Sequence, residues 1–481
     1  MSAAGQDCCT GSGAGHGGTF DLAVIGAGSA GFSAAITAAD QGAQVALIGH
    51  GTIGGTCVNV GCVHSKALIR AVEAIHQANA APRFAGIAGN ARLTDWAALR
   101  AQKDQLVASL RQAKYIDLLP AYNGIAYLEG KARLGNGGVM IDGQHIDAAK
   151  VIISTGAHEY VPPIPGIEDV PYLTSTSAFE LETLPATMIV IGGGHIGCEL
   201  AQMFARAGVR VTILFRSRLL PEAEPEISAA LAGYFEEEGI TVRQVGGYES
   251  IRNDDRGIAL SVTIDGCSET LEARRVLLSA GRKANTVGLG LEEAGVALLP
   301  NGGIEVDDRM RTTKAGVYAA GDVTGGDQFV YMAAYGAKIA AENALNGDGR
   351  RYDAAAMPAV VFTDPQVASV GLTEAKARAQ GLDVRTAVLP LEYVPRALVA
   401  RDTRGLIKLV ADKNTGRLLG AHILAPEGAD SIQTAALAIK HGMTVRDLAE
   451  TIFPYLTTVE GLKLAALSFD QDVTMLSCCA G

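Results

Sequence analysis

The sequence predicts an α/β protein made of two Rossmann-like domains and a further C-terminal domain. A strand, a glycine-rich turn and a helix follow one another near residue 20, and the same pattern returns near residue 187. The chain of 481 residues is also too long for a single core, because domains usually hold about 100 to 200 residues. We therefore expect roughly three domains, two of which share one architecture.

The two glycine-rich turns have the spacing of dinucleotide-binding fingerprints. Their glycines are Gly26, Gly28 and Gly31 in the first turn, and Gly192, Gly194 and Gly197 in the second. Glycine at these positions lets the backbone approach a pyrophosphate that lies at a helix N-terminus. Because each turn stands between a strand and a helix, the two turns predict two bound dinucleotides rather than ordinary tight turns.

The residues after each second strand distinguish the two predicted dinucleotides. In the second unit the strand ends at Phe215, followed by Arg216 and Arg218, and a guanidinium at this place suits a 2′-phosphate. NADPH is therefore favoured over NADH, the alternative being two solvated arginines. In the first unit the strand ends in Gly49 and His50, so the usual ribose-binding carboxylate is missing, and His50 could supply a weaker hydrogen bond in its place.

Two further strand ends fit a flavin site. Ser154-Thr155-Gly156 follows the strand KVII, and Gly321-Asp322 follows GVYAA. Glycine permits a close approach of the backbone to a ligand, and an acid at a strand's carboxyl end binds ribityl or ribose hydroxyls. Each segment alone is typical of a turn, whereas their occurrence with two fingerprints favours a cofactor site.

The composition excludes several other classes of protein. The formal net charge of −11 does not indicate a nucleic-acid-binding surface. No apolar run approaches the roughly 20 residues that span a bilayer, and residues 1–18 resemble a flexible tail without a secretory signal, so we expect a cytoplasmic protein. Eight cysteines are too few for a disulfide scaffold, yet six of them form close pairs. Such pairs indicate redox or soft-metal chemistry in a reducing compartment.

The pair Cys57 and Cys62 follows the first fingerprint unit directly. Residues five apart on a regular helix rise about 7.5 Å, more than the 4.4 to 6.8 Å between the Cα atoms of a disulfide. A bond between them therefore requires an irregular turn, for which Asn59 and Gly61 are suited. A helix N-terminus and Lys66 would stabilise the thiolate. Half of a zinc site or two structural cysteines are the alternatives.

In this order of motifs the chain resembles the pyridine nucleotide-disulfide oxidoreductase family of glutathione reductase and lipoamide dehydrogenase, from about residue 19 to the end. The resemblance implies an FAD-binding domain at 19–155 and 283–348, an NADPH-binding domain at 156–282, and an α+β dimerisation domain at 349–481. It also implies that Cys57 is the outer, interchange thiol and that Cys62 touches the flavin. Lys66 is expected near flavin N5, paired with Glu199, and His195 takes the place of an aromatic gate.

The same resemblance implies which residues contact the cofactors. For FAD they are Gly26, Gly28, Ser29, Ala30, Gly31, Thr56, Lys66, Thr155, Gly156 and Asp322, and for NADPH they are Gly192, Gly194, His195, Ile196, Gly197, Arg216, Arg218 and Gly281.

The C-terminal sequence points to the electron acceptor. Members that reduce organic disulfides carry a histidine near the C-terminus to protonate the leaving thiolate, but Tyr455 stands in its place here. The chain ends with adjacent Cys478 and Cys479, which suit a soft metal ion better than an unstrained disulfide. These features, with GGTCVNVGC and FPYLTTVEGLKLAA, resemble the branch of the family that reduces Hg(II) to elemental mercury.

That resemblance implies a homodimer with composite active sites. The terminal cysteines of one subunit would receive Hg(II) from small thiols and pass it to Cys57 and Cys62 of the other, flanked by Tyr172 and Tyr455. Two alternatives stay open: an NADPH-dependent disulfide reductase of the same family, and a non-catalytic, thiol-rich protein that only binds soft metals. The two fingerprints count against the second.

Overall fold

The computed structural model describes residues 19–475, which fold into two compact units. The first unit contains the described part of 1–55, with 112–157 and 284–352, and the second contains 56–111, 158–283 and the described part of 353–481. The predicted tail, with Cys8 and Cys9, and the terminal Cys478 and Cys479 lie outside the described residues. The domain boundaries drawn from the sequence stay a prediction.

The first unit is built on a mixed sheet with a parallel centre. Its strands follow in the order Ile125–Glu129, Val45–Gly49, Phe20–Ile25, Gln144–Ile153, Gly138–Ile141 and Ala132–Gly135, with Val317–Ala319 parallel to Gln144–Ile153. Val45–Gly49 is buried throughout, and the ends of Phe20–Ile25 and Gln144–Ile153 are buried apolar runs, because both faces of the sheet are covered there. Its helices are Ser29–Ala39, Leu291–Ala294 and Val330–Asn346, with short turns at Gln112–Ile116, Leu119–Ala121 and Asp322–Thr324.

Alanine lets two helices of this unit pack closely. Ser29–Ala39 buries Ala30, Ala34, Ala35 and Ala38 in the same core cluster as the alanines of Val330–Asn346. Side chains this small allow the helix backbones to approach one another, and they hold the glycine-rich turn against the sheet.

The second unit contains the second Rossmann-like sheet. Its parallel strands follow in the order Thr241–Gln244, Arg210–Phe215, Thr187–Ile191 and Arg275–Leu278. An antiparallel sheet of Gly247–Asp254, Gly257–Ile264 and Cys267–Ala273 lies in the same unit, and Ala157–Glu159 pairs with Arg282–Ala284. The helices before residue 283 are Gly55–Asn59, Cys62–Asn79, Trp96–Arg111, Ser175–Ala178, His195–Arg206 and Pro225–Glu237, with single turns at Ala81–Arg83 and Ile167–Asp169.

The C-terminal part of the second unit is α+β, as predicted. Five antiparallel strands follow in the order Pro358–Val361, Gln366–Gly371, Leu418–Ala425, Leu406–Asp412 and Val384–Pro390. Its helices are Glu374–Ala379, Pro395–Ala400, Gly428–Lys440, Val445–Glu450 and Glu460–Leu467, with turns at Leu391–Tyr393 and Val473–Met475. From residue 19 to 475, no helix combines the length and the apolar character needed to cross a membrane.

A buried lysine connects the C-terminal sheet to the second Rossmann-like domain. Lys408 is 2% exposed, and its ammonium nitrogen lies 3.0, 2.8 and 3.0 Å from carboxylates of Glu224, Glu226 and Glu374. Burial acts to lower the pKa of Lys408, but the hydrogen bonds to the three glutamates outweigh it and raise that pKa above its usual value. The lysine therefore stays charged in the core.

We predict that Lys408→Met lowers the free energy of unfolding by about 3 to 5 kcal/mol, because it leaves the buried Glu224 carboxylate unpaired. Lys413→Met is the matched control, since the pair between Lys413 and Asp383 is exposed, and removing it changes stability by at most about 0.5 kcal/mol. The measurement is the urea midpoint followed by circular dichroism. Equal midpoints for the two variants would contradict the prediction.

Candidate active site

The first glycine-rich turn brings the backbone unusually close to a neighbouring strand end. Gly26 has a φ of 116°, and a Cβ atom there would lie 2.3 Å from the carbonyl oxygen of Ser154. A Cβ atom on Gly31 would lie 1.7 Å from the Gly26 carbonyl oxygen. Gly28 caps the helix Ser29–Ala39 without a side chain, so the N-terminal amides stay accessible to a phosphate. These residues fit the predicted FAD pyrophosphate site.

The two other predicted flavin-binding segments adjoin this turn. The Thr155 hydroxyl donates to the backbone carbonyl oxygen of Asn285 at 2.7 Å. The side-chain amide of Asn285 donates to the backbone carbonyl oxygen of Thr155 at 2.8 Å. Gly321 precedes the turn Asp322–Thr324, and a Cβ atom on it would lie 3.3 Å from that of Ala30. The structure thus brings both strand ends to the fingerprint helix.

The second glycine-rich turn repeats the geometry of the first. Gly192 has a φ of 118°, a Cβ atom on it would lie 2.3 Å from the Ser279 carbonyl oxygen, and one on Gly197 would lie 1.8 Å from the Gly192 carbonyl oxygen. Gly194 caps the helix His195–Arg206, whose second residue is Ile196. The turn therefore fits a second dinucleotide.

The predicted phosphate-reading arginines follow the strand Arg210–Phe215. Arg218 donates to the carbonyl oxygens of Pro221 and Ala223 at 2.7 and 2.9 Å, so it also shapes its own loop. Burial raises the pKa of Tyr248 to about 12, and the positive charge of the nearby Arg216 acts in the opposite direction. Gly281 accepts the backbone amide of Tyr160 at 2.9 Å and has a φ of 117°.

Cys57 and Cys62 lie on either side of a helix break, as their spacing predicts. Cys57 belongs to the helix Gly55–Asn59, and Cys62 begins the helix Cys62–Asn79. Gly61 between them has φ −131° and ψ −113°, and a Cβ atom on it would lie 2.9 Å from the carbonyl oxygen of Thr56. Both cysteines are free thiols.

The two thiols are electrostatically different. A hydrogen bond from Cys57 lowers the pKa of Cys62 to about 7, with a further contribution from the Lys66 charge, although burial opposes both. The same hydrogen bond raises the pKa of Cys57, as does burial. Cys62 is therefore the member of the pair that ionises near neutral pH, and Cys57 is the thiol that donates to it.

The pair predicted between Lys66 and Glu199 is confirmed and has a third member. The Lys66 ammonium nitrogen lies 2.6 Å from the Glu199 Oε2 atom. The backbone amide of Phe362 donates to Glu199 Oε1 at 3.0 Å, and Lys66 lies 4.8 Å from the centre of the Phe362 ring. The sequence analysis assigns no role to Phe362, because no local pattern indicates this contact. Asn285 was missed for the same reason.

The remaining predicted site residues lie elsewhere in the second unit. Tyr172 packs against the apolar cluster that includes Ile189 and Leu214. The side chain of Tyr455 is half exposed. His195 begins the second fingerprint helix, and burial lowers its pKa, so its imidazole is neutral at neutral pH. The roles of these three residues stay predictions.

Comparisons with known proteins agree with this geometry. The sequence pattern of the pyridine nucleotide-disulphide oxidoreductase family matches residues 20–341, and that of its dimerisation domain matches residues 357–466. A mercuric reductase of Lysinibacillus sphaericus is 46% identical over 464 residues, which cover 96% of this chain and 85% of that protein. A mercuric reductase of Streptomyces lividans is 47% identical over 468 residues, which cover 96% of this chain and 98% of that protein.

Solved structures lead to the same fold. The Cu(II) complex of RclA, a HOCl-induced flavoprotein disulfide reductase from Escherichia coli, matches with a TM-score of 0.82 and 31% identity, covering 94% of this chain and 100% of that one. LpdA from Mycobacterium tuberculosis matches with a TM-score of 0.82 and 28% identity, covering 94% and 99%. The predicted fold class is confirmed.

We predict that the alkylation rate of Cys62 in the reduced protein rises through about pH 7. The lowered pKa makes the thiolate predominant above that pH and the thiol below it. Cys57→Ala moves the midpoint upward because the hydrogen bond is lost, whereas Cys57→Ser keeps a donor. The measurement uses iodoacetamide in a Cys267→Ser background, because Cys267 is exposed. If the pH midpoint of Cys62 alkylation does not rise in Cys57→Ala, the assigned hydrogen bond is wrong.

We also predict that Arg216→Gln with Arg218→Gln raises KM for NADPH far more than KM for NADH, because only NADPH carries the 2′-phosphate that a guanidinium binds. Arg243→Gln is the control, since Arg243 pairs with Glu269 at 2.8 Å on an exposed strand. Steady-state kinetics with both nucleotides measure the effect. Equal losses for the two nucleotides would show that these arginines do not read the phosphate.

Proposed function

This chain belongs to the pyridine nucleotide-disulphide oxidoreductase family, and we propose that it is a mercuric reductase, which reduces Hg(II) to elemental mercury with NADPH. The observation that carries the proposal is the similarity of about 46% identity, over 96% of the chain, to proteins named mercuric reductase. The chain uses a flavin and a pyridine nucleotide, as its family does. We propose that these are FAD and NADPH.

The chemistry of the cysteine pair suits this substrate. Hg(II) is a soft cation that moves between thiolates by ligand exchange, so each step needs a free soft ligand rather than a proton donor. Cys62 already supplies a thiolate near neutral pH, and Cys57 becomes a second thiolate when its proton leaves as the metal binds. Together they hold the ion between two sulfur atoms.

The electron balance of the reaction is simple. NADPH and Hg(II) give NADP⁺, a proton and elemental mercury. FAD would be held by the first glycine-rich turn and would supply the hydride-accepting and electron-donating chemistry between the nicotinamide and the ion. In this chain the glycine-rich turns would hold the two dinucleotides, and Cys57 and Cys62 would hold the ion during the transfer. Glu199 holds the Lys66 ammonium, whose positive charge favours the Cys62 thiolate.

We propose further that the protein acts as a homodimer with composite sites. The matched dimerisation domain supports the dimer, and exposed apolar side chains in that domain, among them Leu398, Val399 and Ile452, are suited to burial against a second copy. Cys478 and Cys479 of one subunit would take Hg(II) from small cytoplasmic thiols and pass it to the cysteine pair of the other.

A disulfide reductase is the second candidate, favoured by the structural likeness to RclA, which is named a flavoprotein disulfide reductase. Reduction of a disulfide needs a proton for the leaving thiolate. Tyr455 occupies the place of the family's histidine, and a phenol with an ordinary pKa of about 10 is a weak proton donor and a poor shuttle at neutral pH. We therefore rank this function below mercury reduction.

The deciding experiment compares two acceptors with the purified holoenzyme. NADPH oxidation is followed with HgCl2 in excess small thiol and, separately, with oxidised glutathione. We expect rapid oxidation and volatile mercury with the first acceptor and only background oxidation with the second. The opposite result would establish the disulfide reductase, and a colourless protein that ignores NADPH would establish a metal-binding protein.

We predict that replacing Cys478 and Cys479 by alanine leaves electron transfer from NADPH to the flavin nearly normal while turnover of thiol-bound mercury falls steeply, because two buffering thiols must be displaced from each ion. Mixed dimers of this variant with Cys57→Ser should regain activity, since one of their two composite sites has both cysteine pairs. Parent-rate turnover by the double alanine variant would disprove delivery by the terminal cysteines.

A further inference from the structure

The end of the strand Val45–Gly49 lacks the carboxylate that holds the adenosine ribose in dinucleotide sites of this kind. Gly49 has no side chain, and His50 after it is exposed. The chain nevertheless keeps the remaining features of the first fingerprint, including the close approach of Gly26 and Gly31. The place of the missing carboxylate at this strand end is therefore open to another hydrogen-bonding group.

A tyrosine from the adjacent strand fills the space beside Gly49. Val45–Gly49 pairs in parallel with Ile125–Glu129, so that Leu47 is opposite Tyr127 and Gly49 is opposite Glu129. A Cβ atom on Gly49 would lie 2.4 Å from the Tyr127 hydroxyl oxygen and 3.0 Å from the Cβ atom of Ala27. The phenol thus ends between the strand and the glycine-rich turn that contains Ala27.

This contact explains why glycine occupies position 49. Any larger residue would require the phenol to move, since real Cβ atoms do not approach an oxygen within 2.4 Å. An acid at position 49 is therefore incompatible with this placement of the Tyr127 ring. The hydroxyl takes the place of the missing side chain at the same strand end.

The electrostatic surroundings keep the hydroxyl protonated. Burial raises the pKa of Tyr127, and the negative charge of Glu129 raises it further. A phenol in this form both donates and accepts a hydrogen bond, which suits the vicinal hydroxyls of a ribose. Glu129 is exposed at the same edge of the sheet, two residues further along the strand.

We infer that the Tyr127 hydroxyl replaces the missing carboxylate and binds the adenosine ribose of the flavin dinucleotide. The inference rests on the proposed use of FAD. It assigns to this chain a ribose contact that comes from the third strand of the sheet rather than from the end of the second. Gly49 serves the contact by leaving room for the phenol.

The test is the affinity of the apoprotein for FAD, measured from the quenching of flavin fluorescence. Tyr127→Phe removes only the hydroxyl, and we expect about two- to tenfold weaker binding, the range that one lost hydrogen bond gives. Tyr122→Phe, a tyrosine of the same unit away from this strand end, is the control and should bind FAD as the parent does. Melting temperatures show whether the variants fold alike.

A flavin dinucleotide whose adenosine lacks the 2′ and 3′ hydroxyls makes the test specific. The parent should lose affinity for this analogue, and Tyr127→Phe should bind it as the parent does. If Tyr127→Phe weakens the binding of FAD and of the analogue by the same factor relative to the parent, the phenol only packs against the cofactor. A ribose-dependent loss in Glu129→Gln, with Tyr127→Phe unchanged, would assign the contact to the carboxylate instead. Either result overturns the inference.

A compensating pair of substitutions provides a second test. Gly49→Glu alone should weaken FAD binding because the new side chain collides with the phenol. Gly49→Glu with Tyr127→Val removes the collision, restores an acid at the strand end and should recover most of the affinity. No recovery in the double variant would show that this strand end does not contact the ribose. If the parent apoprotein binds no FAD at all, the proposal that FAD is the cofactor is wrong. If the parent binds FAD and the variants bind it equally well, only the role of Tyr127 is rejected.

Discussion

The ion pair between Lys66 and Glu199 organises the second unit around the redox cysteines. Glu199 is 5% exposed, and a buried carboxylate without a partner would destabilise the fold by several kcal/mol. Lys66 at 2.6 Å and the backbone amide of Phe362 at 3.0 Å together satisfy both of its oxygens. The three residues come from the cysteine-bearing helix, the second fingerprint helix and the C-terminal sheet region. Satisfying one carboxylate thus fixes three distant segments.

The contact with Phe362 is itself held in place by a buried polar network. The side chain of Gln202 accepts the backbone amide of Asp364 and donates to its carbonyl oxygen, both at 2.8 Å. Arg206, one helical turn further, binds the Asp364 carboxylate at 3.1 Å. The helix that begins at the second glycine-rich turn therefore supports the segment that positions Lys66. The predicted second nucleotide site and the charge beside Cys62 share this helix.

The thiol pair combines backbone irregularity with an unequal distribution of protons. The break at Gly61 allows two cysteines five residues apart to approach one another, and Cys62 gains the N-terminal position of a long helix. The resulting thiolate is a soft ligand at neutral pH, which is useful for exchange of Hg(II) and equally for attack on a disulfide. The thiolate by itself therefore does not select between these two acceptors.

Local sequence patterns determined the two glycine-rich turns, the helix break between Cys57 and Cys62 and the α/β class. These features depend on backbone geometry within a few residues, which glycine and strand periodicity encode directly. The sequence also determined the pair of Lys66 with Glu199, but only through its resemblance to a family. Tertiary structure alone decided that Phe362 completes this pair and that Tyr127 lies against Gly49. Such contacts join side chains far apart in the chain, and their geometry is set by helix and strand packing rather than by any local spacing.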